Sequence, residues 1–309
     1  MSFLTKRIME VVMDTSSDRE WSGKIEKLSD LIGLADGWGE WKYTNLRIKK
    51  ENLLSIYPQI KSINSFVGMN NIKKVIFDQI IYLLTTEKIE IQLHTLIRGH
   101  IGTGKTELAK TLAQMYVNLG IVSKIVFSDP CKIIGKNSSD TFMKIKNFFE
   151  SSEKVVFVID EDIVPKDVFL QLNKMLENTS PYFICIMTGS NKTFAKISEF
   201  IVGFKRRFQF IFKIESNDSE QLASIMVSII EKNGMTYDDE LSKLVVFFTE
   251  NKDSFRLEAT DLKIFFNYIR IAIYKKNSKK ITMQEILLGY ENYSIPFKDD
   301  DKAPVMMYS

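Results

Sequence analysis

The chain has 309 residues, 45% of them hydrophobic and 26% charged, which is long for one average domain and apolar enough to bury a sizeable core. A disordered tail and a disulfide-stapled peptide are thereby excluded. Lys and Arg number 42 against 39 Asp and Glu, and this net +3 does not mark a nucleic-acid binder by electrostatics.

Two cysteines, Cys131 and Cys185, adjoin apolar runs and read as reduced, buried thiols of a cytosolic-type compartment. With only two histidines, His94 and His100, a zinc site is not readily assembled. No run approaches the ~18 uninterrupted apolar residues of a spanning helix, and charges interrupt any signal-like core near the start. A soluble, cytoplasmic protein with no membrane partner is expected.

Residues 1–60 mix short apolar clusters with charge and hold all three tryptophans, Trp21, Trp38 and Trp41. A helical N-terminal region with a break near Gly37–Gly39 is predicted there. From Asn70, the spacing of Ile72, Val75, Ile76, Gln79, Ile80 and Leu83 predicts an amphipathic helix. Leu93–Gly99 reads as a short buried strand, and Lys105–Gly120 as a helix closed by glycine. Further strands are predicted at Lys124–Asp129, Lys154–Asp160, Tyr182–Gly189 and Phe208–Ile214. Several are apolar throughout rather than alternating, as parallel strands covered on both faces are. Beyond Ser216 only helical periods recur.

The expected fold class is therefore α/β, a parallel sheet sandwiched by helices and followed by an all-helical lid. The expected divisions are an N-terminal region over 1–60, an α/β core over 61–215, a lid over 216–293 and a flexible tail over 294–309.

Gly99-His100-Ile101-Gly102-Thr103-Gly104-Lys105-Thr106 completes a G-x-x-x-x-G-K-[ST] phosphate loop between a predicted strand and a predicted helix. The glycines let backbone N–H groups approach phosphate oxygens at a helix N-terminus. Lys105 is suited to the β- and γ-phosphates, and the Thr106 hydroxyl to Mg²⁺. The apolar run Val155–Ile159 then ends in Asp160-Glu161. In that position Asp160 is suited to hold Mg²⁺ and Glu161 to polarise an attacking water. No guanine-reading N-K-x-D tetrapeptide occurs, since Asn191-Lys192-Thr193-Phe194 lacks the aspartate, so ATP is the expected nucleotide. The next strand ends Thr188-Gly189-Ser190-Asn191. Asn191, with Thr188 as the second choice, is the candidate for orienting the hydrolytic water. Arg207, in Gly203–Phe208, is the candidate arginine finger for a neighbouring subunit.

With these residues in view, the chain resembles the AAA+ ATPases, and within them the branch with red-type rubisco activase and sporulation-type members, as found in nucleocytoplasmic large DNA viruses. The resemblance covers about residues 52–293. It rests on the run from Ile56 to Gly120, then VVFVIDE, FICIMTG, GFKRRF and EATDLKIFFNYIRIAIYKK. It implies that Phe66, Val67 and Gly68 line an adenine pocket, and that the chain forms a homo-oligomeric ring with nucleotide between subunits. Arg207 matches the family's final finger arginine, with Arg206 in place of a serine. It also implies ATP hydrolysis that remodels a protein client.

Departures accompany the likeness. His100 and Ile101 stand where the family usually has prolines. Ile133-Ile134-Gly135-Lys136 stands where it has an aromatic pore loop, and Arg256 and Thr260-Asp261 compete for the place of the lid's sensing arginine. Two alternative readings stay open: a DNA-associated ATPase of clamp-loader or helicase-loader type, and a weakly hydrolysing scaffold switched by nucleotide. The basic stretch Arg270, Lys275, Lys276, Lys279 and Lys280 is read first as a solvated helix end.

Overall fold

The computed structural model describes residues 24–37, 48–127, 135–150, 154–160, 166–177, 183–201, 203–274 and 279–294. The tryptophan-bearing positions, Cys131 and Ile133-Ile134 lie outside them, as does Glu161. The chain falls into two compact units: residues 1–98 with 106–213, and residues 99–105 with 214–309.

In the first unit, helices α1 (Leu28–Asp36), α2 (Lys50–Ser55) and α3 (Tyr57–Ser65) precede α4 (Asn70–Thr85). Leu28, Leu31 and Leu34 of α1 are buried, as are Ile60 and Ile63 of α3, and the two helices pack against each other. The Tyr57 hydroxyl donates to Asp36. On α4 the buried stripe is Ile72, Ile76, Phe77, Gln79, Ile80, Leu83 and Leu84. Val75, expected on that stripe, is 41% exposed. The burial axis runs through positions 72, 76, 80 and 83 and widens toward Phe77 and Leu84, which turns position 75 outward.

The sheet has five strands in the order β2-β3-β4-β1-β5: β1 (Thr95–Gly99), β2 (Lys124–Phe127), β3 (Val155–Asp160), β4 (Phe183–Gly189) and β5 (Phe210–Ile214). The β1–β4, β4–β3 and β3–β2 pairings are all parallel. Helices α5 (Lys105–Asn118), α6 (Ser138–Glu150), α7 (Lys166–Glu177) and α8 (Asn191–Phe200) supply the intervening turns of chain. Alternate residues of β3 and β4 face opposite sides, yet both sets are buried. Val155, Phe157, Ile159, Phe183, Cys185 and Met187 join one core cluster with Phe169, Leu172 and Phe194 of α7 and α8. Val156, Val158, Ile184 and Ile186 are buried on the other side. Full burial of a single side chain such as Phe157 stabilises the fold by about 2–3 kcal/mol. The continuous apolar character of these strands follows from that double coverage.

Asn118 closes α5 with two long-range bonds, its Nδ2 donating to Ser55 O at 2.9 Å and to Gln59 Oε1 at 3.1 Å. The C-terminal end of α5 is thereby pinned to α2 and α3.

The second unit is built on helices α9 (Ser219–Lys232), α10 (Leu241–Glu250), α11 (Ala259–Ile273) and α12 (Met283–Tyr293). Asp218 caps α9 through the Gln221 N–H, and Thr282 caps α12 through the Gln284 N–H. Their core holds Leu222, Met226, Phe248, Leu262 and Ile269, with an aromatic group in which Phe255 stacks on Tyr293 at 5.4 Å between ring centres. Gly289 lets α12 approach α11 closely: a Cβ there would lie 2.6 Å from Ile269 Cγ1 and 3.0 Å from its Cα. Among its described residues this region also holds one short parallel pair, β6 (Thr236–Tyr237) with β7 (Lys280–Ile281), which the helical periods do not anticipate. No helix among the described residues is long and apolar enough to cross a membrane.

Candidate nucleotide site

Gly99 ends β1 and Lys105 begins α5, so the loop between them joins a buried strand to a helix N-terminus. Gly102 and Gly104 have φ of +83° and +92°, values that side-chain-bearing residues rarely adopt. The loop braces itself: Thr103 Oγ1 donates to His100 O at 2.9 Å, and Lys105 Nζ donates to His100 O at 2.7 Å and Gly99 O at 3.1 Å. Thr103 is buried, whereas His100, Ile101 and Thr106 are exposed. Such a loop can bind an anion through backbone donors, a helix terminus and one ammonium group.

On the sheet, the register sets Asp160 opposite Thr188 and Arg98 opposite Gly189, so β1, β4 and β3 end along one edge. Thr188 is buried, and its hydroxyl lies 3.5 Å from Ile159 O. Asn191 is exposed in the first turn of α8, whose N-cap Ser190 accepts from the Thr193 N–H at 3.1 Å. The register therefore brings Thr188 beside Asp160 and leaves Asn191 on the helix beyond. Glu161 lies outside the described residues.

Arg207 closes a single 3-10 turn, Phe204–Arg207, whose Phe204 is buried in the sheet's core cluster. Its guanidinium is held within its own chain, Nε donating to Asn173 Oδ1 at 3.3 Å and a terminal nitrogen pairing with Glu177 on α7. Arg206 is exposed. Phe66, Val67 and Gly68 follow α3 as a half-buried turn, with Gly68 at φ +67°. Gly135 and Lys136 are fixed by α6, their N–H groups donating to Thr141 Oγ1 and Asp140 Oδ2. Arg256 is exposed and donates to Asp253 O at 3.1 Å. Lys280 pairs with Asp238 at 3.0 Å.

Several polar residues that sequence reasoning passed over hold these parts in place. His94 is buried just ahead of β1, and its Nδ1 accepts from the Cys185 N–H at 3.0 Å. Burial pushes its pKa down to about 4, so the ring is neutral and acts as an acceptor for the sheet. Cys185 is a buried free thiol, as its apolar surroundings in the sequence predict, and burial raises it well above its ordinary range. Tyr116 of α5, which accepts from Gln79 Nε2 at 2.8 Å, is pushed up to about 12 by the same cause. In the second unit Glu258 is buried and accepts from Asn217. A lone histidine before a strand, or a glutamate before a helix, carries no local signal of such roles.

The hard-oxygen donors Thr106 and Asp160 suit Mg²⁺, which keeps several waters and shares its remaining positions with phosphate. Among the described residues no group of three or more His, Cys, Asp or Glu gathers as a metal cage.

Residues 95–216 match the family described as "ATPase family associated with various cellular activities (AAA)". The chain carries an AAA domain. The AAA match begins at the first residue of β1 and ends two residues beyond β5, so it spans the whole sheet. The chain is 28% identical over 300 residues to a cfxQ-like protein of Acanthamoeba polyphaga mimivirus, covering 88% of this chain and 73% of the relative. It is 22% identical to stage V sporulation protein K of Bacillus subtilis, covering 64% and 68% respectively. Among solved structures, a RuvB variant from Thermotoga maritima aligns with a TM-score of 0.56 at 17% identity, covering 74% of this chain and 72% of that one. That likeness shows the AAA fold of a parallel sheet with flanking helices and a helical C-terminal region.

Proposed function

We propose that this AAA protein binds ATP with Mg²⁺, hydrolyses it at the β–γ bond, and uses the cycle to remodel a protein client. The observation that carries the reading is the phosphate loop: two left-handed glycines, a strand before it and a helix N-terminus after it. In this reading the N–H groups of Gly102, Thr103 and Gly104 hold phosphate oxygens, with Gly99, His100 and Ile101 completing the loop. Lys105 swings from the carbonyls of Gly99 and His100 to the γ-phosphate. Val67 and Gly68 bound the adenine. Thr106 and Asp160 would hold Mg²⁺, which supplies charge neutralisation on the β- and γ-phosphates. Glu161 polarises the attacking water, Asn191 or Thr188 orients it, and Arg207 stabilises transition-state charge in the neighbouring subunit of a homo-oligomeric ring. The proposed divisions are an N-terminal region, an α/β core from about residue 61 to 215 and a helical lid beyond.

Titration with a fluorescent ATP analogue, together with phosphate release, tests the reading. Lys105→Ala should lose binding, whereas Glu161→Gln should keep binding and lose turnover. ATP binding that survives Lys105→Ala unchanged would refute the assignment of the loop. Trapping the Glu161→Gln protein with ATP and imaging the particles tests the ring. Hydrolysis stimulated by DNA in a salt-sensitive way would instead favour a DNA-associated role.

A further inference from the structure

The unit that contains the phosphate loop also places protein acceptors against it. The turn Leu257-Glu258, just ahead of α11, lies over Gly102 so closely that a Cβ on that glycine would collide with the Leu257 carbonyl. Glu258 is only 6% exposed and is held at φ +48°, ψ −120°, a conformation that residues with side chains rarely adopt. Two donors of one residue fix it: Glu258 Oε2 accepts from the Asn217 N–H at 3.2 Å and from Asn217 Nδ2 at 2.5 Å. The other oxygen, Oε1, is 3.8 Å from His100 Nδ1 in the loop. Asp261 holds the turn from behind, accepting from the Leu257 N–H at 2.6 Å.

The Leu257 carbonyl thus lies against Gly102 of a loop built to receive phosphate and the Glu258 carboxylate lies 3.8 Å from His100, while Lys105 is turned onto the loop's own carbonyls. A polyphosphate entering there would bring several negative charges up to a buried carboxylate, and like charges at short range in a poorly solvated place repel strongly. We propose that Leu257-Glu258 is an acidic latch on the phosphate loop, an autoinhibitory contact that ATP must displace and through which loop occupancy is felt by α11. The proposal rests on the nucleotide-binding reading above. The unusual backbone of Glu258 is held by the Asn217 bonds, so displacing the carboxylate frees the turn to relax away from Gly102.

The test uses the full chain and the Glu258→Gln variant, in which the charge is gone and the charge-assisted bonds from Asn217 are weakened to neutral ones. Two readouts are taken: ATP-analogue affinity, and hydrogen exchange of the Gly102–Lys105 amides without nucleotide. The latch predicts affinity about tenfold tighter and amide exchange several-fold faster in the variant. Asn217→Ser, which removes the side-chain anchor, should move both in the same direction and serves if Glu258→Gln folds poorly. Glu220→Gln, an exposed charge change on α9, should move neither. Unchanged exchange, or equal or weaker affinity in both variants while Lys105→Ala abolishes binding, overturns the latch and leaves the nucleotide reading intact. Faster exchange with no ATP binding in any form overturns the nucleotide reading and, with it, the latch.

Discussion

His94 makes the stability of the AAA sheet sensitive to mild acid. Its ring is buried at the head of β1, accepts from the Cys185 N–H of β4, and has a pKa depressed from 6.5 to about 4 by burial. The folded protein therefore resists protonation at a site that the unfolded chain protonates readily below pH 6.5. The stabilisation is complete above that value, declines as pH falls from 6.5 to about 4, and changes no further below. Linkage puts the loss at about 2 kcal/mol by pH 5 and roughly 3 kcal/mol at pH 4. Replacing His94 with Asn keeps an acceptor near Nδ1 and removes the titration. Urea unfolding followed by far-ultraviolet circular dichroism, in steps from pH 7.5 to 4.5, gives the wild-type and His94→Asn curves. Their difference isolates the imidazole from the carboxylates common to both. The stability advantage of wild type over variant should shrink steadily below pH 6.5. A difference that stays flat with pH would refute the argument, because the ring would then be as easily protonated folded as unfolded.

Three further outcomes follow from local geometry and the proposed site. Gly289→Ala should destabilise the helical unit by about 1–3 kcal/mol, since the new methyl meets Ile269 backbone atoms, and this outweighs the roughly 1 kcal/mol gained in helix propensity. A raised thermal midpoint would show that α11 and α12 separate at little cost. Glu177→Gln removes the ion pair that holds Arg207; because both partners are partly exposed, stability should fall by no more than about 1 kcal/mol. Arg207→Ala should depress ATP turnover without altering ATP affinity, and a monomer that retains full turnover would exclude action between subunits.

The sheet was legible in sequence because residues such as Val155–Ile159 and Phe183–Met187 are buried on both faces, which leaves apolar runs bounded by polar ends. The phosphate loop was legible because its chemistry is local: the glycines, Lys105 and Thr106 sit within eight consecutive positions. What escaped the reading is non-local. The β6–β7 pair joins two dipeptides far apart in the chain, each too short to show a period. The roles of Glu258 and Asn217 depend on one unusual backbone turn and on a hydrogen bond between distant residues. Arg207 was picked out by its place before β5, but its partners Asn173 and Glu177 lie 34 and 30 positions away on α7, and such a distant pairing leaves no local signal.

Helix α5 has a mechanical meaning besides its chemical one. Its first residue is Lys105, and its last, Asn118, is bonded to α2 and α3. Fourteen residues of helix make a rod about 20 Å long, stiff along its axis. A tilt of about five degrees at the loop end would displace the far end by nearly 2 Å, on the scale of helix shifts that accompany switching. Because Asn118 grips Ser55 and Gln59 directly, that displacement would reach the N-terminal helices as leverage.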